Sequence, residues 1–296
     1  FTQILKQITV FFCLLAYPQL SANLVLDIDA NKPSSYDGSG SVINDLSSSG
    51  NDLKIVNGVT HVADPNGFLS FKFGGSADYL RLNSAPFRDF PMGTSDFTIV
   101  AFVDGSASAS EQHLISFGRS SSSFNGEFIF EKNANGKLRF WDYHNGYGFS
   151  DNTSSSSLQP LNTNSWNHIV FVKSGTTGKF FINGVLDKTI TASKNISTYF
   201  NTSFYIGGDV RDSEEWFNGK ISNVKIYTDA LSDERVMGEY LTHELETELI
   251  VSATSTNSIL SPNNGWISST GSFQALSGNS GNHPFLGEDN LIFSFT

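Results

Sequence analysis

The chain has 296 residues, 26 of them phenylalanine, with 13% aromatic and only 16% charged side chains. That is enough apolar mass for one large core, and Ser, Thr, Asn and Gly fill the gaps between apolar runs, as suits an extracellular all-β protein with many turns. The formal net charge of −11, without a basic cluster, argues against nucleic acid as a partner and against attraction to anionic membranes.

Residues 1–22 read as a secretory signal peptide. Lys6 precedes the apolar run Ile8 to Ala16, and Ser21-Ala22 offers small residues for cleavage. The run is far below the ~20 residues that a membrane span needs, so the mature chain is not expected to insert into a bilayer. The single cysteine, Cys13, lies inside this segment, which leaves the secreted chain without a disulfide.

The first mature strand, Asn23 to Ala30, alternates Leu24, Leu26 and Ile28 against Val25, Asp27 and Asp29. A long polar loop follows, then Asp45-Leu46-Ser47 and an expected hairpin around Asn57-Gly58. Phe68 to Phe73 alternates again. Phe97 to Val103 is apolar on both faces, which predicts a central strand, and His113 to Gly118 is expected to continue the same sheet.

Gly126 to Tyr143 predicts a second hairpin. Pairing Phe130 with Leu138 puts Phe128, Phe130, Leu138 and Phe140 on the core side and Glu127, Ile129, Glu131, Lys137, Arg139, Trp141 and Tyr143 on the other. Two readings of that outer face stand side by side. In one, Glu127, Arg139, Trp141 and Tyr143 form a sugar surface, with Tyr147 and Trp216 at its rim. In the other, the face is simply solvated, with a Glu131–Lys137 cross-strand pair.

Trp166 to Asp187 reads as two strands joined by a turn at Gly175-Thr-Thr-Gly178, with Ile169, Phe171 and Lys173 on one face and Val170 and Val172 on the other. Asn183-Gly184 then turns the chain, because both residues tolerate positive φ. Phe204 to Gly208 and Phe217 to Tyr227 supply later strands. A short helix follows at Ala230 to Val236 with Ser232 as its N-cap, and His243 to Glu248 can extend it. Residues 241–296 read as a Ser/Asn/Gly-rich extension or the start of a second β module.

Several of these runs resemble the laminin G-like, concanavalin A-type jelly-roll family: LxLDxDA…SYxGSG…xDLSxxGNxxxxxNG from Leu24, GGSADYL at Gly74–Leu80, WNHIVFVKSGTTGKFFINGVLD at Trp166–Asp187 and IGG…FxGxIxxVxIY up to Tyr227. The resemblance implies an all-β, two-sheet antiparallel β-sandwich over residues 23–240. It implies a secreted recognition module whose partner is a glycan or an extracellular protein, with the glycan favoured. Trp166 and His168 are packing residues on this resemblance. Family glycosidases carry Glu-x-Asp-x-Glu on a central strand. Here Glu127 and Glu131 have the outer spacing but Ile129 stands between them, so no catalytic set is expected. The family's structural calcium at a rim loop makes Ca2+ the implied cofactor, with Asp209 and Asp212 as ligands. Calcium-dependent protein adhesion is the rival function, and solvated acidic loops are the alternative to a metal. Asn152, Asn195 and Asn201 head triplets that accept N-glycans.

Overall fold

The computed structural model describes residues 23–65, 67–90, 94–105, 110–117, 127–143, 156–192, 203–209, 215–254, 266–269 and 272–275. In chain order the strands are β1 (Leu24–Asp29), β2 (Val42–Ile43), β3 (Leu53–Val56), β4 (Thr60–Ala63), β5 (Leu69–Gly74), β6 (Tyr79–Leu82), β7 (Phe97–Gly105), β8 (Gln112–Phe117) and β9 (Glu127–Lys132). They continue with β10 (Lys137–Tyr143), β11 (Ser156–Pro160), β12 (Trp166–Ser174), β13 (Thr177–Ile182), β14 (Val185–Thr191), β15 (Phe204–Ile206) and β16 (Asn218–Tyr227). Helix α1 (Asp233–Thr254) and the hairpin β17 (Trp266–Ser269) and β18 (Ser272–Ala275) complete the order.

Two antiparallel sheets face each other. The first runs β14-β13-β12-β7-β16-β5-β4, with β1 also paired to β16; the second runs β11-β10-β9-β8-β15-β6-β3-β2. Phenylalanines from both sheets fill the space between them. Phe140 stacks on Phe171 at 3.9 Å and 7°, and Phe90 on Phe117 at 3.9 Å. Lys173 is the exception on this inner face: it is fully buried and donates from Nζ to the carbonyls of Thr94 and Ser95 at 3.0 and 2.9 Å. The jelly-roll sandwich expected from the strand pattern is the fold observed.

The central strand is β7, as its two apolar faces predict, flanked by β12 and β16. Its second face and that of β12 pack Val100, Val170 and Val172 with Phe181, Tyr227, Leu231 and Val236, so residues 231–236 cover the outside of the first sheet. Ser232 caps α1, its hydroxyl accepting from the Arg235 amide at 3.3 Å. The helix takes up the extension that His243 to Glu248 allows and runs on to Thr254. Asn183 and Gly184 take φ of 51° and 77°, as the Asn-Gly turn requires.

Five local expectations are corrected. Asn57-Gly58 does not close a hairpin, because β3 pairs with β2 and β6 while β4 pairs with β5 in the other sheet. The Gly58 amide donates to Asp78 at 2.7 Å, and this steers the crossing. β8 joins the second sheet rather than extending that of β7. A bulge between Leu24 and Leu26 breaks the alternation of β1, so Val25 joins Leu26 and Ile28 in the inter-sheet core and Leu24 packs on the other cluster. The β12–β13 turn is only Gly175-Thr176, since Gly178 already pairs with Lys173. In the β9–β10 hairpin Phe130 pairs with Phe140, two residues from the expected register. Asn133 sets this: its Oδ1 accepts from the amides of Asn135 and Lys137, moving the turn one residue along the chain. A two-residue shift preserves side-chain parity, so Phe128, Phe130, Leu138 and Phe140 keep the core face and Arg139 and Trp141 the outer one.

The N-terminal signature works as a tie. Asn51 donates to Val25 O at 2.7 Å and accepts from the Arg88 amide, while Asp45 accepts from the amides of Asp27, Ser47 and Asn51. By its contacts the chain divides into two units, the sandwich up to Val62 with Leu69–Leu241, and a smaller unit of Ala63–Phe68 with Thr242–Thr296. Within the smaller unit Phe68 meets His243 edge-on at 5.7 Å, and β17 pairs with β18.

Candidate functional site

The outer face of the second sheet carries polar and aromatic side chains. Alternation along each strand puts them there: Leu80 and Leu82 face inward, so Tyr79 and Arg81 face outward, and Phe204 and Ile206 do the same for Tyr205. Register aligns these residues across strands. Trp141 lies opposite Ile129, Ile129 opposite Ser116, Ser116 opposite Tyr205 and Tyr205 opposite Arg81. A neighbouring row sets Arg139 opposite Glu131 and Glu131 opposite His113.

The segment after β15 completes the site. Gly207 takes φ of 86°, and its amide donates to Leu114 O. The His113 amide donates to Glu215 O, and the Phe217 amide to Gly207 O. Residues 215–217 therefore lie along the sheet end, beside His113 and Gly207, before β16 begins. They bring in two consecutive side chains, Glu215 and Trp216.

Glu215 pairs with His113 Nε2, and Glu131 Oε2 lies 3.3 Å from the same nitrogen. Glu131 Oε1 accepts from Arg139 Nε, and Arg139 Nη2 reaches Glu111 at 2.7 Å. Arg139 also lies over the Trp141 ring, 5.0 Å from its centroid. Burial alone would lower the His113 pKa, but the Glu131 and Glu215 carboxylates overcome it and raise the imidazole to about 9. Hydrogen bonding to His113 in turn holds the Glu215 carboxyl below its usual range. On the other side, Trp216 stacks on Tyr79 at 5.8 Å and 24°, and Tyr79 meets Tyr205 edge-on at 5.7 Å. One arc thus runs from an ion-paired end, Glu111–Arg139–Glu131–His113–Glu215, to an aromatic end, Trp216–Tyr79–Tyr205.

Of the predicted sugar-surface residues, Arg139, Trp141 and Trp216 lie on this face. Trp216 sits with the tyrosines, while Trp141 sits three strands away on β10. Glu127 and Tyr143 pair through their backbones at the open end of the hairpin, and their side chains lie outside the described part. Tyr147, Asp212, Asn152, Asn195 and Asn201 lie outside the described residues. Asp209 is wholly buried rather than presented at a rim. The expected Glu131–Lys137 pair is replaced by Glu131–Arg139, because of the shifted register, and Glu131 is buried rather than solvated. His168 and Trp166 are packing residues: His168 is buried and Trp166 stacks on Phe102 at 5.0 Å and 4°. The sequence reading missed His113, Tyr79 and Tyr205. The tyrosines were accessible to it, being the polar partners in the alternating runs YLRL and FYI. His113 was not, because a bulge between His113 and Ile115 breaks the alternation of β8.

No curated protein matches this chain in sequence. Its fold is similar to domain 4 of AbnA, a GH43 extracellular arabinanase from Geobacillus stearothermophilus, solved in complex with arabinotriose. The two share 16% identity at a TM-score of 0.53, over 73% of this chain and 97% of that domain. Trypanosoma rangeli sialidase, solved with sialic acid, shares 17% identity at a TM-score of 0.54; 77% of this chain covers 34% of that one, about a third of its length. The binding domain of Paraclostridial Mosquitocidal Protein 1 shares 16% identity at a TM-score of 0.52, over 75% of this chain and 52% of that one. At these identities the likeness is one of fold. The family model for the concanavalin A-like lectin/glucanases superfamily matches residues 73–237, more than half of the chain. With the two-sheet sandwich and the motifs that lie inside that span, the chain belongs to the concanavalin A-like lectin/glucanase superfamily.

Proposed function

We propose that the protein is a non-catalytic carbohydrate-recognition module whose sugar lies along the outer face of the second sheet. One observation carries the reading: Trp216, Tyr79 and Tyr205 form a contiguous, half-buried aromatic patch beside exposed Arg81, on the sheet face that residues 231–236 do not cover. Aromatic planes stack on the apolar face of a pyranose, and charged groups bond its hydroxyls. Trp141 and Arg139 extend the surface three strands away, roughly 14 Å at the usual strand spacing, which favours an oligosaccharide over a single sugar.

The non-catalytic part of the reading rests on the carboxylates. Glu131 is fully buried, with one oxygen held by Arg139 and the other beside His113, and Ile129 stands where family glycosidases carry an aspartate. On the favoured reading the chain is exported by residues 1–22 and acts outside the cell.

Calorimetry against a glycan panel that includes arabinotriose and sialic acid tests the site. Trp216→Ala is expected to lower affinity for the bound glycan by on the order of 1 kcal/mol, with the circular dichroism spectrum unchanged. A folded variant that binds as the wild type does, or hydrolysis of the glycan that Glu131→Gln abolishes, would sink this reading.

A further inference from the structure

The ion-paired end of the arc has a feature that its hydrogen bonds leave over. His113 Nε2, a Glu131 oxygen and a Glu215 oxygen lie within 4.8 Å of one another. The side chains of His113 and Glu131 are 1% and 0% exposed, and that of Glu215 is 34% exposed. A single Nε2 has one proton to give, and it faces two carboxylates. Glu131 Oε2 is buried 3.3 Å from that nitrogen yet receives no hydrogen bond. That buried oxygen is left with only the 3.3 Å contact to the imidazole, and a metal ion would satisfy it.

We propose that His113 Nε2, Glu131 Oε2 and Glu215 Oε2 are the ligands of one divalent transition-metal ion of the zinc class, which ties β8, β9 and the segment entering β16 together. One imidazole and two carboxylates suit zinc, whose bonds to nitrogen and oxygen are about 2.0–2.2 Å. The edge of such a tetrahedron is roughly 3.3–3.5 Å, so ligand atoms already this close converge by small side-chain rotations. Calcium fits poorly: it takes six to eight oxygens, and this group offers a nitrogen and two carboxylates. Binding displaces the proton that the two carboxylates hold on His113, after which two carboxylates and a neutral imidazole balance a doubly charged ion. Arg139 holds Glu131 from behind through Oε1, the outer contact that orients a ligating carboxylate. Three protein ligands leave one position for water. The assignment is independent of the sugar reading, because the ion is measured on the protein alone.

The test uses the tag-free full-length chain, stripped with chelator and dialysed. Zinc chloride is titrated calorimetrically, and cobalt chloride is titrated while following visible absorption. The expected result is one ion per chain, ligand-field bands with cobalt, and no displacement of zinc by millimolar calcium. Glu215→Gln, at the half-exposed ligand, is expected to weaken zinc binding at least about tenfold with the far-ultraviolet spectrum unchanged. Three results overturn the proposal: no zinc taken up by folded wild type, calcium displacing zinc, or Glu215→Gln binding as tightly as wild type. If Glu215→Gln does not fold, the cobalt spectrum of the wild type decides, and absence of bands reduces the group to an ion-paired triad.

Discussion

His168 shows what burial does to a single side chain here. It lies on the face of β12 that turns toward α1, with its ring 5.7 Å from that of Tyr240, and neither ring nitrogen has a hydrogen-bond partner among the described residues. Glu239 and Lys225 are the charged groups that act on it; Glu239 accepts from Lys225 at 2.8 Å and from Tyr227 at 2.7 Å. Burial pushes the His168 pKa down to about 4; Glu239 opposes the shift and Lys225 adds to it. A folded-state pKa below the unfolded value of 6.5 means that the unfolded chain takes up the proton first. Stability from this group is therefore complete above about pH 6.5 and is lost as pH falls toward 4, on the order of 3 kcal/mol in all. Urea midpoints at pH 7 and pH 4.5 are expected to fall further for wild type than for His168→Leu. Equal falls would remove His168 as the cause.

At the scale of elements, the turn after β15 decides whether the site exists. Gly207 has φ of 86°, and an added Cβ would come within 2.3 Å of the buried Phe73 ring. At Gly208 an added Cβ would meet the Trp216 ring at 2.2 Å. The two glycines thus separate stability from recognition. Gly207→Ala forces a left-handed residue against the core and is expected to cost more than about 1 kcal/mol in chemical unfolding. Gly208→Ala, at an ordinary φ, has only the ring to displace. It is expected to weaken glycan binding with a smaller loss of stability, and the reverse pattern in the two variants would refute this division. Between the sheets, Phe171 stacks on Phe140 and touches Phe180 at 5.1 Å. Phe171→Ala leaves a cavity that the surrounding rings cannot fill, so a loss of about 3–5 kcal/mol in urea unfolding is expected.

At the scale of the whole molecule, the two sheets have different outer faces. Residues 231–236 cover the first, while the second presents aromatic rings and ion pairs. The net charge of −11 lies over this asymmetry. A polyanion approaching such a chain is repelled at long range, and the charge is compatible with the proposed recognition of a neutral glycan by stacked rings. The protein is expected to pass unretained through heparin and DNA columns at low salt; retention would show a basic surface that the composition does not suggest.

How much of this was legible in the chain follows from what each feature depends on. Alternation and turn chemistry are local, so the sequence by itself determined the sandwich, the central position of β7, the Asn183-Gly184 turn, the Ser232 cap and the outward face of Arg139 and Trp141. Side-chain parity survived even a two-residue register shift, because the period of a strand is two. Tertiary structure decided what local periodicity cannot carry. Whether β3 and β4 pair with each other depends on an Asp78 contact twenty residues away. The convergence of His113, Glu131 and Glu215 depends on β9 lying beside β8 and on the backbone bonds that hold Glu215 to His113 and Phe217 to Gly207. His113 and Glu215 are about a hundred positions apart, and only long-range backbone pairing brings their charges into one group.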